Sequence, residues 1–426
     1  MGFQHGLSGL NAASTNLDVI GNNIANANTA GFKQSIAQFS DIFANSMEGT
    51  DSAQIGIGAK ISSIAQQFGQ GNITPTSNPL DIAIQSQGFF RMSDNGAVSY
   101  SRNGQFHIDD SGFIVDASGA NLTGYMADEN GDIQAGSIPT NLKFSTADLA
   151  PQATTTFDVG FNLDARKVGV ATAFSATDPK TYESTTSGTV IDSLGNSHVL
   201  SLFFKKSDTV AKTWTAYATI DGKVTTAGLP VGVTIAGNPS QTMVFDDEGV
   251  LDDSVTPNAT SKLDVEIDFS AIDPLFSGKT PQTVKLDLTA ATQFGSAFGV
   301  NALTQDGYTS GRMSGFTISA DGIILGNYSS GQTKTLGQIV LANFVNPQGL
   351  VPIGDGHWAE SPASGEPLVG VPKTGNLGSL QSNAIEESNV DLTAELVKMI
   401  SAQRMYQASA KQIETQDQII QTITQI

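Results

Sequence analysis

The stretch "LSGLNAASTNLDVIGNNIANANTAGFK", Leu7 to Lys33, sets an apolar residue at nearly every helical turn, yet it is loaded with asparagine and interrupted by Gly21. Asparagine offers the backbone hydrogen bonds outside a helix, and glycine loses more entropy on ordering than any other residue. A helix written this way does not stand alone. From Phe3 onward, Phe3, Leu7, Leu10, Ser14, Leu17, Gly21 and Ile24 follow alternating spacings of four and three, the seam of a heptad.

The same periodicity returns only at the other end, in "SNVDLTAELVKMISAQRMYQASAKQIETQDQIIQTITQI", Ser388 to Ile426. Leu392, Leu396, Met399, Gln403, Tyr406, Ala410, Ile413, Asp417 and Ile420 keep the heptad spacing. Ser388 or Asn389 offers an N-cap oxygen, Asp391 and Glu395 suit the positive end of the dipole, and no Gly or Pro follows Gly378. The pattern predicts one helix of about 35 residues running to the last residue. Leu7, Leu10, Leu17, Ile20 and Ile24, with Leu392, Leu396, Met399, Tyr406, Ile413 and Ile420, are the apolar anchors of the two segments. An isolated pair of such helices is marginal against the entropy of ordering it, so both are expected to be poorly ordered in a free monomer. Many copies packed side by side would give each helix further neighbours, and the surplus asparagines could hydrogen-bond between subunits. The eleven anchors are therefore the candidate polymerisation interface. From spacing alone, a helical hairpin that caps the β core of a single chain is an equal alternative.

Between the ends the texture changes to period two, punctuated by turns: "DNG" at 94–96, "RNG" at 102–104, "DDSG" at 109–112, "DASG" at 116–119 and "DENG" at 128–131. These pairs supply the positive φ that tight hairpins need. The fold class is mixed and mainly β: two nested β domains, with a coiled-coil-like α domain formed by the N- and C-terminal helices. The expected boundaries are a helical polymerisation domain at 1–30 and 383–426 and an extended linker region at 31–72 and 365–382. A first β domain takes 73–150 and 300–364, and an outer β domain is inserted at 151–299. The linker reading rests on "SMEGTDSAQIGIGAK" (Ser46 to Lys60) and "VPKTGNLGSLQSNAIEESN" (Val371 to Asn389), both rich in Gly, Ser and Asn.

Composition limits what such a chain can do. Its 426 residues carry a net charge of −20, which opposes binding to nucleic acid or an anionic membrane. With no cysteine, disulfides, thiol catalysis and cysteine zinc sites are excluded. The first Lys or Arg is Lys33, so no charged region heads a secretory leader, and no apolar run reaches the length of a membrane span. His5, His107, His198 and His357 are scattered without paired ligand spacing and are expected at surface or hairpin positions. "DENGD" (Asp128 to Asp132) and "DDEGVLDD" (Asp246 to Asp253) lack the alternating ligand set of a calcium loop and read as solvated turns. No nucleophile elbow or phosphate loop is present, and no catalytic, cofactor-binding or metal-ligating residue is expected.

The two terminal stretches together resemble the paired terminal segments of bacterial flagellar axial proteins, those of the rod and hook. "SNPLDIAIQSQGFFRM" (Ser77 to Met92) and "YSRNGQFHIDDSGFIVDASGANLTGY" (Tyr100 to Tyr125) are similar to that family's first β domain. The family's rod members similar to this chain lack a large insertion, so its length points to the hook-forming members. The resemblance implies no enzyme but a structural subunit, self-assembling through its terminal helices into a curved tube that acts as a universal joint for motor torque. It further implies an extracellular location reached through the flagellar type III export apparatus without a cleaved signal peptide. The partners it implies are further copies of the chain, the distal rod protein, the hook cap protein and the hook-filament junction protein, with no cofactor. A distal rod protein is the alternative within the family, and a secreted monomeric β module of adhesin type the alternative outside it.

Overall fold

The computed structural model describes residues 2–42, 56, 58–128, 131–134, 136–144, 148–252, 262–271 and 281–424. Two helices flank a chain of strands: α1, Gly2–Ala25, and α2, Leu392–Thr424. The cap of α2 is Asp391 and not Ser388 or Asn389, since Asp391 Oδ1 accepts from the backbone N–H of Thr393 at 2.9 Å and of Ala394 at 3.1 Å. Contacts divide the chain into two compact units, one of residues 1–146, 314–327 and 333–426, the other of 147–313 and 328–332.

The first unit is built on a large sheet. Its strands run in the spatial order Met313–Ile318, Ile323–Tyr328, Thr333–Ile339, Asn121–Met126, Phe89–Asp94, Ala97–Ser101, His357–Ala359 and Val351–Gly354. Ile82, Ile84, Phe90, Met92, Leu122, Leu142, Ile324 and Leu341 fill one core, while Phe89, Tyr100, Phe344, Leu350 and Trp358 fill a smaller one. The Asp94–Gly96 turn is a tight hairpin with positive φ at Asn95 and Gly96, as the sequence leads one to expect. "RNG" at 102–104 is not a hairpin tip. Arg102 is buried, and a side chain at Gly104 would lie 1.7 Å from the Ile82 carbonyl oxygen, so this glycine serves close backbone approach.

The linker expectation needs correcting. Residues 35–66 hold an antiparallel pair, β1 (Ser35–Ile42) and β2 (Gly58–Gln66), packed on α1. On the C-terminal side, Leu368–Gly370 pairs with Leu341–Asn343, Ser379–Ser382 with Ile82–Gln85, and Ala384–Glu386 with Ile73–Pro75. The Gly, Ser and Asn content that suggests looseness instead permits tight backbone contact: a Cβ at Gly378 would lie 2.0 Å from the Gln85 carbonyl oxygen. Most of the 46–60 stretch lies outside the described residues.

The second unit has a six-stranded and a four-stranded sheet sharing one core. Lys262–Ile267 and the first half of Ser197–Lys206 alternate buried and open positions, and Phe157, Phe161, Phe204, Trp214, Val265 and Leu286 meet inside. Gly299–Gln305 pairs with Thr156–Asp164, which carries the unit past residue 299, the expected end of the insertion. Lys262–Ile267 shows the alternation of a strand with one face on the core, whereas Thr156–Asp164 is buried on both faces over most of its length.

Candidate assembly surface

The seam between the helices is one position away from the heptad read in the sequence. On α1 its buried residues include Gly6, Ala13 and Ile20, seven apart; on α2 they are Glu395, Ala402 and Ser409, also seven apart. Small side chains let the two backbones close up. A Cβ on Gly6 would lie 2.6 Å from Ile413 Cγ1, and one on Gly9 would lie 2.9 Å from Ser409 Oγ. Sequence reasoning missed this row because it weights large apolar residues, whereas here the glycine spacing carried the signal.

Of the eleven anchors, Ile20 is 3% exposed and lies in register with Gly6 and Ala13 on the intramolecular face of α1. Leu10, Leu17, Ile24, Met399 and Ile413 are half-buried. Leu7, Leu392, Leu396, Tyr406 and Ile420 are exposed. Val397 and Ile400, not singled out from the sequence, extend the exposed row on the N-terminal half of α2. The hairpin β1–β2 adds exposed Ile36, Phe39, Ile61 and Ile64. Isolated exposed apolar residues need no explanation, but a row along one helix beside an apolar hairpin marks an interaction surface.

Two buried polar clusters hold this surface in place. Asn23 Oδ1 accepts from Ser35 N–H at 2.9 Å, and its Nδ2 donates to Ser35 O at 2.8 Å and to Glu395 Oε2 at 3.1 Å. Glu395 Oε1 also accepts from Gln34 Nε2 and Lys398 Nζ, each at 2.7 Å. Burial alone would push the Glu395 carboxyl up, but Lys398, Asn23 and Gln34 outweigh it and hold the group below its ordinary range. Asn389 Oδ1 accepts from Gln34 N–H at 2.7 Å. Asn23, one of the N-terminal asparagines expected to bond between subunits, is thus bonded inside the chain, and so is Asn389.

In the second cluster, Glu386 lies fully buried between two cations, Lys33 Nζ at 2.6 Å and Arg102 Nη1 at 3.1 Å. Lys33 Nζ donates further to Gly69 O at 2.8 Å, and Gly71 N–H donates to Glu386 Oε1 at 2.8 Å. Burial draws the Lys33 ammonium below its usual value, against the pull of Glu386. These bonds fasten the end of α1 and the approach to α2 onto the sheet.

Two histidines lie in hairpins, one of the two placements expected of them, but with their rings buried. His357 is buried, with Nε2 2.6 Å from Asp116 Oδ2 and Nδ1 2.9 Å from Ser99 Oγ. His198 lies with Nδ1 2.7 Å from Asp221 Oδ2 and Nε2 3.2 Å from Asp192 Oδ2. Each ring cross-links neighbouring strands and turns, a role that requires folding and has no spacing signature. Asp246 Oδ1 accepts from Val250 N–H at 2.8 Å within a turn, and Asp128 Oδ1 likewise from Asp132 N–H, residues 129, 130 and 253 lying outside the described set. Among the described residues, no group of three or more His, Asp or Glu is placed to hold a metal ion, and no helix is long and apolar enough to cross a membrane.

Comparison with known proteins places four family models along the chain. They are the Flagella basal body rod protein at residues 3–33, the Flagellar hook protein FlgE/F/G D1 domain at 83–155, the Flagellar basal body protein FlaE D2 domain at 162–308, and the Flagellar basal body rod FlgEFG protein C-terminal at 381–426. The Flagellar hook protein FlgE of Escherichia coli strain K12 is 41% identical over 430 residues, covering 100% of both chains. That of Borreliella burgdorferi is 32% identical over 447 residues, covering 99% of this chain and 98% of its own. The crystal structure of Helicobacter pylori flagellar hook protein FlgE2 superposes with a TM-score of 0.52 at 13% identity, over 74% of this chain and 100% of its own, a likeness of fold.

Proposed function

The chain belongs to the flagellar hook protein family, and on that premise we propose that this structural subunit of the bacterial hook assembles through the exposed faces of its terminal helices. The hook is part of the flagellum outside the cell, built together with other basal-body components. The rod alternative is not favoured, because the match to the hook relatives is full-length and includes the D2 domain.

The observation that carries the assembly reading is the mismatch on α2. Glu395, Ala402 and Ser409 are buried within the chain, while Leu392, Leu396, Val397 and Ile400 are left open to water. A helix that buries its small residues and exposes its large ones is half of an interface. Further copies of the chain are the occupants this reading gives to those faces. Export through the flagellar type III apparatus without a cleaved leader, and docking to the distal rod, cap and hook-filament junction proteins, follow from the family and stand as parts of the proposal. So do the curved tube and its action as a universal joint.

Electron microscopy of the concentrated purified chain tests the reading. Curved tubes from the full chain, and none from Leu396→Asp with an unchanged monomer circular dichroism spectrum, are expected. Monomers from both at every concentration would overturn it.

A further inference from the structure

Glu386 closes the strand Ala384–Glu386, and that strand is seated without help from the helices. It pairs with Ile73–Pro75, and the preceding strand Ser379–Ser382 pairs with Ile82–Gln85. Between them, Asn383 O accepts from Thr76 N–H at 2.7 Å, and Ala384 N–H donates to Asp81 O at 3.1 Å. The N-terminal segment reaches the same residue by two bonds. Gly31 N–H, a short way past α1, donates to Glu386 O at 2.7 Å, and Lys33 Nζ donates to Glu386 Oε1 at 2.6 Å. Arg102 takes the other carboxylate oxygen, with Nη1 3.1 Å from Oε2, while its Nη2 donates to Ser86 O at 2.8 Å. All three charged side chains are buried.

Two cations thus share one anion, so the closed cluster buries a net positive charge. Withdrawing Lys33 leaves Arg102 and Glu386 as a neutral pair, whereas withdrawing Glu386 leaves two buried cations together, which is the costly case. Burial draws the Lys33 ammonium down, and Arg102 adds to this against the pull of Glu386. The helices meanwhile hold one another through the bonds of Asn23 and Gln34 to Glu395. We propose that this cluster is a latch, with Lys33 its releasable member and Arg102 its fixed one: α1 and α2 come off the sheet together when Lys33 leaves, while Ala384–Glu386 stays paired. The latch separates order in the helices from order in the sheet, so the helices can fold and unfold on a unit that remains intact. It is built from bonds within one chain and is independent of how copies meet.

Hydrogen exchange of the full-length monomer, read by mass spectrometry, tests the latch in two variants. Lys33→Glu sets a second carboxylate against Glu386. It is expected to speed exchange at least about tenfold in residues 2–34 and 392–424, and to leave 379–386 and 82–85 at the unmodified rate. Glu386→Gln strands both cations and is expected to speed exchange in all four segments. If the unmodified monomer already exchanges freely along both helices, slow exchange at 379–386 shows the latch open with its strand in place and supports the proposal. Loss of protection at 379–386 in Lys33→Glu equal to that in the helices would overturn it. Helices still protected in that variant would overturn it too.

Discussion

Asn23 and Glu395, 372 residues apart in sequence, meet at 3.1 Å between α1 and α2. The same amide exchanges two hydrogen bonds with Ser35, so one buried asparagine fixes the C-terminal half of α1 to β1 and to α2 at once. Asn23→Ala leaves the Ser35 backbone and one Glu395 oxygen without that partner. A loss of about 1–3 kcal/mol for each buried group left unsatisfied is expected. Faster amide hydrogen exchange along both helices measures it, and unchanged exchange would show that the cluster is incidental.

The same cluster sets an acid limit. Because the folded Glu395 carboxyl lies below its ordinary value of 4.5, the unfolded state binds more protons in this range and stability falls with pH. The contribution is complete above 4.5 and is lost as pH drops through the lower folded value. Helix content followed by circular dichroism from pH 6 to about pH 2 is expected to fall below 4.5. Glu395→Gln should flatten that part of the curve, and an identical curve in the variant would assign the acid transition elsewhere.

The separation of inner and outer helix faces gives opposite outcomes for two aspartates. Ile20→Asp places a charge in the intramolecular seam and is expected to lower helix content in the monomer. Leu396, 45% exposed, should accept aspartate with no change in the monomer but with loss of tubes. Paired circular dichroism and sedimentation measurements distinguish the two, and equal effects on the monomer would contradict the assignment of faces.

Glycines divide in the same way. Gly6 has no room for a Cβ against Ile413, whereas a Cβ on Gly21 meets nothing within 4 Å. Gly21→Ala is therefore expected to strengthen α1 by up to about 1 kcal/mol in the monomer. If another copy approaches α1 closely at that point, the same change weakens assembly, and sedimentation of the variant reads this directly. Gly6→Ala should loosen the helix pair itself. More helix and unimpaired tubes from Gly21→Ala would mean that its position faces no neighbour.

Glu386 offers the largest expected effect outside the core. Removing its charge by Glu386→Gln leaves Lys33 and Arg102 buried with a neutral partner, a loss of about 3–5 kcal/mol. Denaturant unfolding followed by the fluorescence of Trp358 measures it, since this ring lies in the smaller core of the same unit. A change under about 1 kcal/mol would show that water reaches the site.

Much of this arrangement was legible in the chain. Alternation in the first half of Ser197–Lys206 and the Asn95–Gly96 pair are local signals, and strand periodicity and turn chemistry act over few residues. The helices were legible as elements, but their pairing face was not, because Gly6, Ala13, Ala402 and Ser409 earn their place through the distance between two backbones. Asn23 and Glu386 were opaque for a related reason: Asn23 reaches Glu395, and Glu386 reaches Lys33 and Arg102, across more than two hundred residues of sequence, and only the folded chain brings them together. The linker reading failed where glycine served close packing instead of freedom, as at Gly378.

Helical reconstruction by electron microscopy of tubes grown from the purified chain tests the central claim most directly. Leu392, Leu396, Val397 and Ile400 are expected to be covered by helices of other copies, with Gly6, Ala13 and Ile20 still paired to α2 of their own chain. Tubes in which that row of α2 remains open to water, or in which copies meet only through their β units, would contradict it.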